Sequence, residues 1–366
     1  SKTKNMKKIL FLILVTTLLI SINAEAKIWR VNNTAGVTAD ATSLTILFDG
    51  INNLPSNPEA ANGDTIHVEP SATQYNFPTI NKQVVIIGNG YFLGGAGSNP
   101  GLQEKTGTSK IGGFRFASGS AGTRILGIQI TANSDFASGY FGVVNITFEK
   151  CLITASPLSM VTTNSYTGIS FRKCFITSSF SLSPASLNDF VMENCIMDVA
   201  SGSTAITPTT GSNIVIRNNV FRTLNGFIDF NFSEAYVANN LVLTSRSHTY
   251  VNCNIKNNIF SFNQTGVTTG PLSVNGNNLV GQSVASVIVN SGTTDGKFQL
   301  AAGSPAIGGG VDISGFKPDC GAFGSSDLYK LSGIPGVPSI YSLTVPASVP
   351  LGSPTMNVTF STRNNN

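Results

Sequence analysis

The middle of the chain repeats one short pattern of apolar and polar positions. An apolar residue, a variable residue and a second apolar residue are followed by two mostly polar residues, a Cys or Asn, and two more apolar residues. The alternation at its start predicts a short β-strand, and its recurrence predicts repeats that stack on one another. The clear copies lie at 146–153, 169–176, 190–197, 214–221, 235–242 and 253–260.

The Cys or Asn of each copy defines a column, the ladder position. Successive ladder positions are 18–24 residues apart, so turns and loops of different length are expected between equivalent strands. A repeat this short does not bury a core of its own, and neighbouring copies therefore have to pack against each other. The ladder residues are Cys151, Cys174, Cys195, Asn219, Asn240 and Asn258.

The repeats resemble those of secreted bacterial right-handed parallel β-helix proteins, the pectin-lyase-like superfamily. In that family the chain coils through short strands, and Asn side chains stack at one turn, a position that Asn219, Asn240 and Asn258 match. The resemblance covers about residues 62–325 and implies an all-β fold, a right-handed parallel β-helix. The clustered Asp pairs and the Gly-His-Gly segment of the family's hydrolases do not occur in this sequence.

Charged residues also fall into columns. Stacked rungs lie about 4.8 Å apart, so charges that alternate in sign along a column face opposite charges on the neighbouring rungs. Such cross-strand pairs stabilise a sheet by roughly 0.2–1 kcal/mol each, and we interpret these residues as surface ladders. One column, two positions before the ladder, begins Glu149, Arg172, Glu193 and Arg217, and a second contains Asp198 and Arg222.

Both ends of the solenoid are expected to be covered, because exposed strand edges recruit other chains. Leu44, Leu47, Phe48 and Ile51 follow the spacing of one helical face, which predicts a short N-terminal capping helix. Two strand-like runs at the C-terminus have no core of their own, so they must pair with the body or with another molecule. The predicted units are the cap 27–61, the parallel β-helix 62–332, a linker 333–338 and the C-terminal β tail 339–366.

The N-terminus has the pattern of a secretory signal peptide. Residues 1–5 precede Met6 as an overhang, a Lys pair and an apolar run at 9–20 follow, and Ala24-Glu25-Ala26 fits the small-x-small cleavage rule. A run of this length is short of the roughly 20 residues that span a bilayer, so we expect cleavage, a mature chain from Lys27 and no transmembrane anchor. The predicted location is extracellular or cell-surface, with the periplasm left open.

Composition excludes several classes of protein. Hydrophobic residues make up 41% of the chain and charged residues only 11%, which excludes a disordered chain and argues against a coiled coil. Removal of residues 1–26 takes away four lysines and one glutamate, so the net charge falls from +4 to +1. We therefore expect no nucleic-acid partner.

Candidate catalytic residues are sparse. Asp229, Glu234, Arg246 and His248 are ionisable groups outside the ladders, and we name them as a hypothetical polysaccharide site. Glycoside hydrolysis needs two carboxylates on one face, and calcium needs six to eight oxygen ligands. The repeats contain no acidic cluster of that kind. We expect no metal or cofactor, with calcium admitted only for a lyase, and we expect the five cysteines to be buried thiols.

Two functions follow from these features. The first is a secreted structural or adhesive β-solenoid, an adhesin, matrix component or filament subunit that associates with itself through residues 339–366. The alternative is a polysaccharide-active enzyme, lyase or hydrolase, or a glycan-binding module on the same fold. Only the family resemblance favours the alternative.

Overall fold

A computed structural model describes most of the chain from residue 26 onward. Residues 1–25 of the predicted signal peptide, Ile51, Arg246 and His248 lie outside the described residues. The described ranges are 26–49, 59–136, 144–155, 160, 163–179, 181–200, 204–223, 228–244, 249–262, 268–269 and 274–365.

Short parallel strands stack rung upon rung and form a β-solenoid, as the repeats predict. In the main sheet each strand lies beside the equivalent strand of the next coil, for example Thr147–Glu149 beside Ser170–Arg172. The main sheet contains Ile28–Val31, Thr65–Val68, Val85–Ile87, Arg124–Leu126, Thr147–Glu149, Ser170–Arg172, Ser181–Leu182, Val191–Glu193, Thr204–Ile206, Ile214–Arg217, Ile228–Ala238, Thr249–Lys256, Thr268–Thr269 and Val274–Gly276.

The other faces of the coil are formed by shorter strands. The second sheet contains Lys110–Ile111, Gln129–Ile130, Leu152–Ile153, Phe175–Ile176, Ile196–Val199, Val220–Thr223, Leu241–Thr244 and Ile259–Phe260. Two three-stranded sheets contain Thr79–Ile80, Arg115–Phe116 and Asp135–Phe136, and Ser165–Thr167, Ser186–Asn188 and Thr210–Ser212. The strands Thr65–Val68, Val85–Ile87 and Arg115–Phe116 belong to coils that precede the first clear copy of the repeat.

The interior of the coil is filled by equivalent side chains from successive rungs. Phe148 stacks on Phe171 with ring centroids 5.1 Å apart and planes 8° from parallel, and both are fully buried. One rung alone exposes such a side chain above and below, so its burial depends on the neighbouring rungs. The fold class predicted from the repeats, a parallel β-solenoid, is confirmed, while its right-handed sense stays a prediction.

The first rung is covered by the chain that follows its strand Ile28–Val31. A single 3₁₀ turn, Thr45–Leu47, stands where the sequence predicts a short helix, and the Ser43 hydroxyl accepts a hydrogen bond from the Thr45 amide at 3.1 Å. Leu44 and Leu47 are buried against the interior. The turn closes the apolar interior at this end.

A returning segment, residues 281–338, covers the outer face of the second sheet. It contains the helix Val284–Val287 and the 3₁₀ turns Gly296–Phe298 and Leu331–Gly333. Phe298 packs on Phe175, with ring centroids 6.0 Å apart, and Cys320 lies in the same buried cluster. The segment therefore forms a second apolar core outside the coil, rather than a plug on its last rung.

The residue before each ladder position fixes the turn between the two main faces. These residues have positive φ angles near 55°, a left-handed conformation that asparagine tolerates better than most residues. Asn194 donates to the Ala322 carbonyl at 3.0 Å, and Asn257 donates to the Gly309 carbonyl at 2.9 Å. The same turn column thus holds the returning segment. Its members are Lys150, Lys173, Asn194, Asn218, Asn239, Asn257 and Asn277.

The chain ends in a terminal hairpin, the antiparallel strands Ser339–Thr344 and Thr359–Arg363. The two strand-like runs predicted in the tail are therefore paired with each other. Residues 333–338 lead into the hairpin, and Gly333 and Ile334 are buried rather than exposed as in a free linker. The division of the chain into domains stays a prediction.

Candidate functional site

The ladder side chains form a continuous hydrogen-bonded column inside the turn. Asn240 donates to the Ile216 carbonyl at 3.0 Å and to Oδ1 of Asn258 at 2.9 Å, and its own Oδ1 accepts from the backbone and side-chain nitrogens of Asn219. Asn278 ends the column by accepting from Asn258. Each asparagine accepts from the ladder-position amide of the preceding rung and donates to a strand carbonyl of that rung, so the column stabilises the coil and its polar groups are already used.

The cysteines of the column occupy equivalent places with weaker bonds. The Cys174 and Cys195 thiols lie 3.4 Å from the Phe148 and Phe171 carbonyls, the positions to which the asparagines donate on later rungs. All five cysteines are buried and free. Burial raises the pKa of Cys174 far above its usual range and raises that of Cys253 to about 12. The Cys174 and Cys253 thiols therefore stay protonated at neutral pH and are not nucleophiles.

The outer charge columns are paired across rungs. Glu193 bridges Arg172 and Arg217, with the Arg217 contact at 2.7 Å, and Glu149 pairs with Arg124 on the preceding rung at 2.8 Å. The second column also pairs as expected, and a lysine of the returning segment joins it. Its ion pairs are Arg222–Asp198 at 2.7 Å and Lys297–Asp198 at 3.1 Å.

The hypothetical polysaccharide site is described only in part. Asp229 and Glu234 lie on the long strand Ile228–Ala238, where the pairing register shifts between Asn231 and Ala235. The Glu234 side chain is exposed to solvent, while Arg246 and His248 lie outside the described residues. The hypothesis that these four residues act together therefore stays a prediction.

Metal-binding groups are not clustered in the described ranges. No set of three or more His, Cys, Asp or Glu side chains there lies close enough to hold one ion. His67 lies at a cleft of about 390 Å³ between the first coils and the terminal hairpin. Burial lowers its pKa, Arg30 and Lys105 add to that effect, and Glu69 opposes it, so His67 is uncharged at neutral pH.

The terminal hairpin is attached to the early coils at few points. The Glu104 amide donates to the Ile340 carbonyl at 3.0 Å, and Arg363 donates to the Leu102 carbonyl. The Arg363 guanidinium also lies 5.3 Å from the Tyr341 ring centre. The contacts of Glu104 and Leu102 place the hairpin beside the early coils of the solenoid.

Apolar side chains are exposed over both strands and the connecting loop of the hairpin. Leu351 is fully exposed, and Phe360 is 60% exposed. A two-stranded hairpin is marginal by itself in water, and this one has little covering it within the described part of the chain. The exposed apolar residues are Ile340, Tyr341, Leu343, Val345, Val349, Leu351, Met356, Val358 and Phe360.

The opposite end of the solenoid carries an unpaired strand edge. Val274–Gly276, the last strand of the main sheet, pairs with Thr249–Lys256 on one side, and no described strand pairs with its other side. Leu279 and Val280 follow it and are exposed. On the hairpin, Thr359–Arg363 likewise has one edge paired with Ser339–Thr344 and no described strand on the other.

Comparison with models of known protein families and with curated proteins finds no match for this chain. In the described ranges, no helix has the length and apolar character needed to cross a bilayer. The candidate site must therefore be judged on geometry. The geometry indicates the exposed hairpin and the last rung as the candidate surfaces. The charged side chains of the two charge columns already form ion pairs with one another.

The returning segment and its contacts are the features that sequence analysis missed. The pattern did contain a signal, since two apolar residues follow every ladder position, and adjacent residues on a strand point to opposite faces. Leu152 and Phe175, the first of such pairs, lie in the outer core, while Ile153 and Ile176 lie in the inner core. A sheet that is apolar on both of its faces needs a further segment to cover its outer face.

Proposed function

We propose that the protein is a secreted, pectin-lyase-like β-helix with an extracellular structural or adhesive role. It assembles into filaments in which the terminal hairpin of one copy adds to the last rung of the next. The observation that carries this proposal is the concentration of exposed apolar side chains on a hairpin with an open edge. Secretion is supported by the signal-peptide pattern of residues 1–26.

The positions of the two edges favour an open assembly. The hairpin contacts the early coils through Glu104 and Leu102, whereas Val274–Gly276 is the last strand of the main sheet. A contact between unlike surfaces at opposite ends of one molecule continues from copy to copy and gives filaments. Strand addition supplies main-chain hydrogen bonds at such a contact, and the exposed hairpin side chains supply apolar area.

Two lysine substitutions test this arrangement on the chain that starts at Lys27. Phe360→Lys places a charge on the hairpin, and Leu279→Lys places one beside the last rung. Each variant should be monomeric by sedimentation velocity and show no filaments by electron microscopy. In a mixture of the two variants, the intact hairpin of the Leu279→Lys variant can bind the intact last rung of the Phe360→Lys variant. The mixture should therefore give dimers that do not grow further.

Matched controls lie on the returning segment. Phe316 is 66% exposed and Ile307 is 53% exposed, so Phe316→Lys and Ile307→Lys introduce the same charge at similarly exposed apolar positions. Both controls should assemble like the unsubstituted protein. A protein that stays monomeric at millimolar concentration, or a Phe360→Lys variant that still forms filaments, would overturn the proposal.

A cleft of about 580 Å³ near the last rungs favours glycan binding as a second candidate function. It lies between the end of the second sheet and the helix Val284–Val287, and Arg222, Gln282 and Asn290 contribute polar groups beside Phe262. Gln282→Ala should then weaken retention on a glycan panel, with no change on calcium chelation. Activity lost on chelation would instead favour a lyase, and Asp229→Ala leaving that activity intact would exclude the hypothetical carboxylate site.

A further inference from the structure

Asp64 is a buried carboxylate at the start of the solenoid, with only 3% of the residue exposed. Its Oδ1 accepts a hydrogen bond from the Lys27 backbone nitrogen at 2.8 Å. Its Oδ2 accepts from the Trp29 indole at 2.7 Å and from the Ala61 amide at 2.9 Å. All three donors are neutral groups in an unprocessed chain.

No described ion pair includes Asp64. The nearby Lys27 side chain does not fill that role, because its ammonium lies over the Trp29 ring, 3.3 Å from the ring centre. Burial of a carboxylate without a cationic partner is costly. The backbone nitrogen of Lys27, in contact with Asp64, is the group that the predicted cleavage after Ala26 would convert into an amine.

We infer that cleavage between Ala26 and Lys27 creates a structural ion pair, in which the new α-ammonium of Lys27 donates to the buried carboxylate of Asp64. This inference rests on the predicted signal peptide and is independent of filament assembly. The step is a peptidase-catalysed hydrolysis that consumes one water. The acyl carbon of Ala26 takes the hydroxyl, and the nitrogen of Lys27 takes the hydrogen and is protonated at neutral pH.

The surrounding backbone holds the Lys27 nitrogen in place. The Lys27 carbonyl accepts from the Thr65 amide at 2.9 Å, and the next residues pair in register with Thr65–Val68. Ala26 is exposed, so the bond before Lys27 lies where a peptidase can reach it. An ammonium there keeps two hydrogens for water while the third stays on Asp64.

Processing therefore changes one hydrogen bond from neutral to charge-assisted. Charge-assisted bonds are shorter and roughly twice as strong as neutral ones, so removal of the signal peptide would tighten the attachment of the first strand. A chain one residue longer would not have this bond, because its α-amine is displaced by about 3.8 Å along the chain.

Four proteins test the inference: chains that begin at Lys27 or at Ala26, each with Asp64 or with Asp64→Asn. In the Lys27 chain with Asp64, the pKa of the α-amine should lie at least one unit above the usual 7.7–8.0. Its acylation at pH 7 should then be about 10-fold slower than in the Ala26 chain. The Asp64→Asn substitution should abolish that difference.

The pH dependence of stability has a defined sign. A raised folded-state pKa gives stabilisation that is complete below the unfolded pKa, about 7.7, and that is lost as pH rises through the folded value. The melting temperature of the Lys27 chain should therefore exceed that of the Ala26 chain at pH 6–7. The two should converge above pH 9–10.

A Lys27 chain that is acetylated at its α-amine provides a second control, for use if the Asp64→Asn variant does not fold. It keeps Asp64 but has no ammonium, so it should match the Ala26 chain at every pH. An α-amine with an ordinary pKa in the Lys27 chain would overturn the inference, as would an unchanged difference between the two chain starts after Asp64→Asn. All measurements use monomeric protein, so failed assembly and a failed ion pair are distinguishable.

Discussion

The solenoid body and the terminal hairpin are both built from short strands, yet they treat apolar side chains in opposite ways. In the body, Phe148 and Phe171 are fully buried because the rungs above and below cover them. In the hairpin, Phe360 and Leu351 are exposed, since two antiparallel strands have no second layer to cover them. Burial in this protein therefore depends on the number of stacked neighbours rather than on strand content.

The first rung of the body and the hairpin also differ in how their strand edges end. In the body, Ser43, Leu44 and the residues after them cover the first rung, whereas the hairpin leaves one edge of Thr359–Arg363 without a described strand. A natural protein usually blocks such an edge with charge, a bulge or proline. An open apolar edge is consistent with a surface that binds another chain.

The largest predicted effect compares one substitution in the outer core, where the returning segment packs on the body, with one in the hairpin. Phe298→Ala removes a buried ring that packs on Phe175, and it should lower the free energy of unfolding by about 3–5 kcal/mol. Phe360→Ala removes an exposed ring and should change it by less than about 0.5 kcal/mol. Urea denaturation of monomeric protein measures both.

Equal losses from the two substitutions would contradict the comparison. They would mean that Phe360 is covered within the monomer, and that the hairpin is part of the folded core. The proposed assembly through the hairpin would then lose its main support.

The second prediction concerns the polar interior of the body. Asn240→Ala removes a side chain that joins two rungs: the Asn219 backbone amide loses the acceptor that Asn240 supplies, and the Ile216 carbonyl loses the donor. Each buried unsatisfied group costs about 1–3 kcal/mol, so the free energy of unfolding should fall by about 3 kcal/mol. Denaturation with urea provides the measurement.

The control for that change is Asn213→Gly, since Asn213 has a φ of 53°, a conformation that glycine adopts without strain. Asn213 donates to Asp189 at 2.6 Å on the exposed surface, and its loss should cost less than about 1 kcal/mol. A cost at Asn240 as small as that at Asn213 would show that the ladder is not needed for stability.

The sequence was sufficient to predict the stacked rungs, because the interior side chains recur at every ladder position. It also predicted that Glu193 would face Arg172 and Arg217, since charge columns follow directly from rung spacing. The course of the returning segment was not predicted. Its contacts, such as Asn194 to Ala322, join residues 128 positions apart, and no local pattern specifies such a distant pairing.

The fold prediction is confirmed, whereas the candidate site stays a prediction. Glu234 and Asp229 are candidates because they lie outside the ladders, and in the structure Glu234 is exposed on a strand with a register shift. Whether Phe360 is exposed or buried depends on whether another strand packs over it. A strand pattern alone does not contain that information, because the same alternation suits a covered and an uncovered strand.

The third and smaller effect lies on the outer surface of the body. Glu193→Gln removes the charge that bridges Arg172 and Arg217, and it should lower the free energy of unfolding by about 1 kcal/mol or less. The loss should shrink in 1 M salt, because exposed ion pairs are screened. Glu234→Gln, at an exposed position, serves as the control and should have no effect. A salt-independent loss would instead indicate a packing role for the Glu193 side chain.

The smallest effect tests whether the hairpin covers the body in solution. His67 lies in the cleft beneath Ile340 and Leu343, and burial lowers its pKa in the folded protein, with Arg30 contributing and Glu69 opposing. A lowered folded pKa gives stability that is present above about pH 6.5 and is lost as pH falls through the folded value. His67→Gln should remove this part of the acid dependence, as measured by melting temperature between pH 7 and 5.

Removal of residues 339–366 sharpens the same test. Without the hairpin, His67 faces water, so burial no longer disfavours its charged form and its pKa should rise toward the ordinary value. Titration of the imidazole by nuclear magnetic resonance in the whole and shortened chains measures that shift. Identical titration curves would show that the hairpin does not rest on the early coils of the monomer. Both faces of the hairpin would then be exposed to solvent in the monomer. Any partner of the hairpin would therefore have to be another molecule.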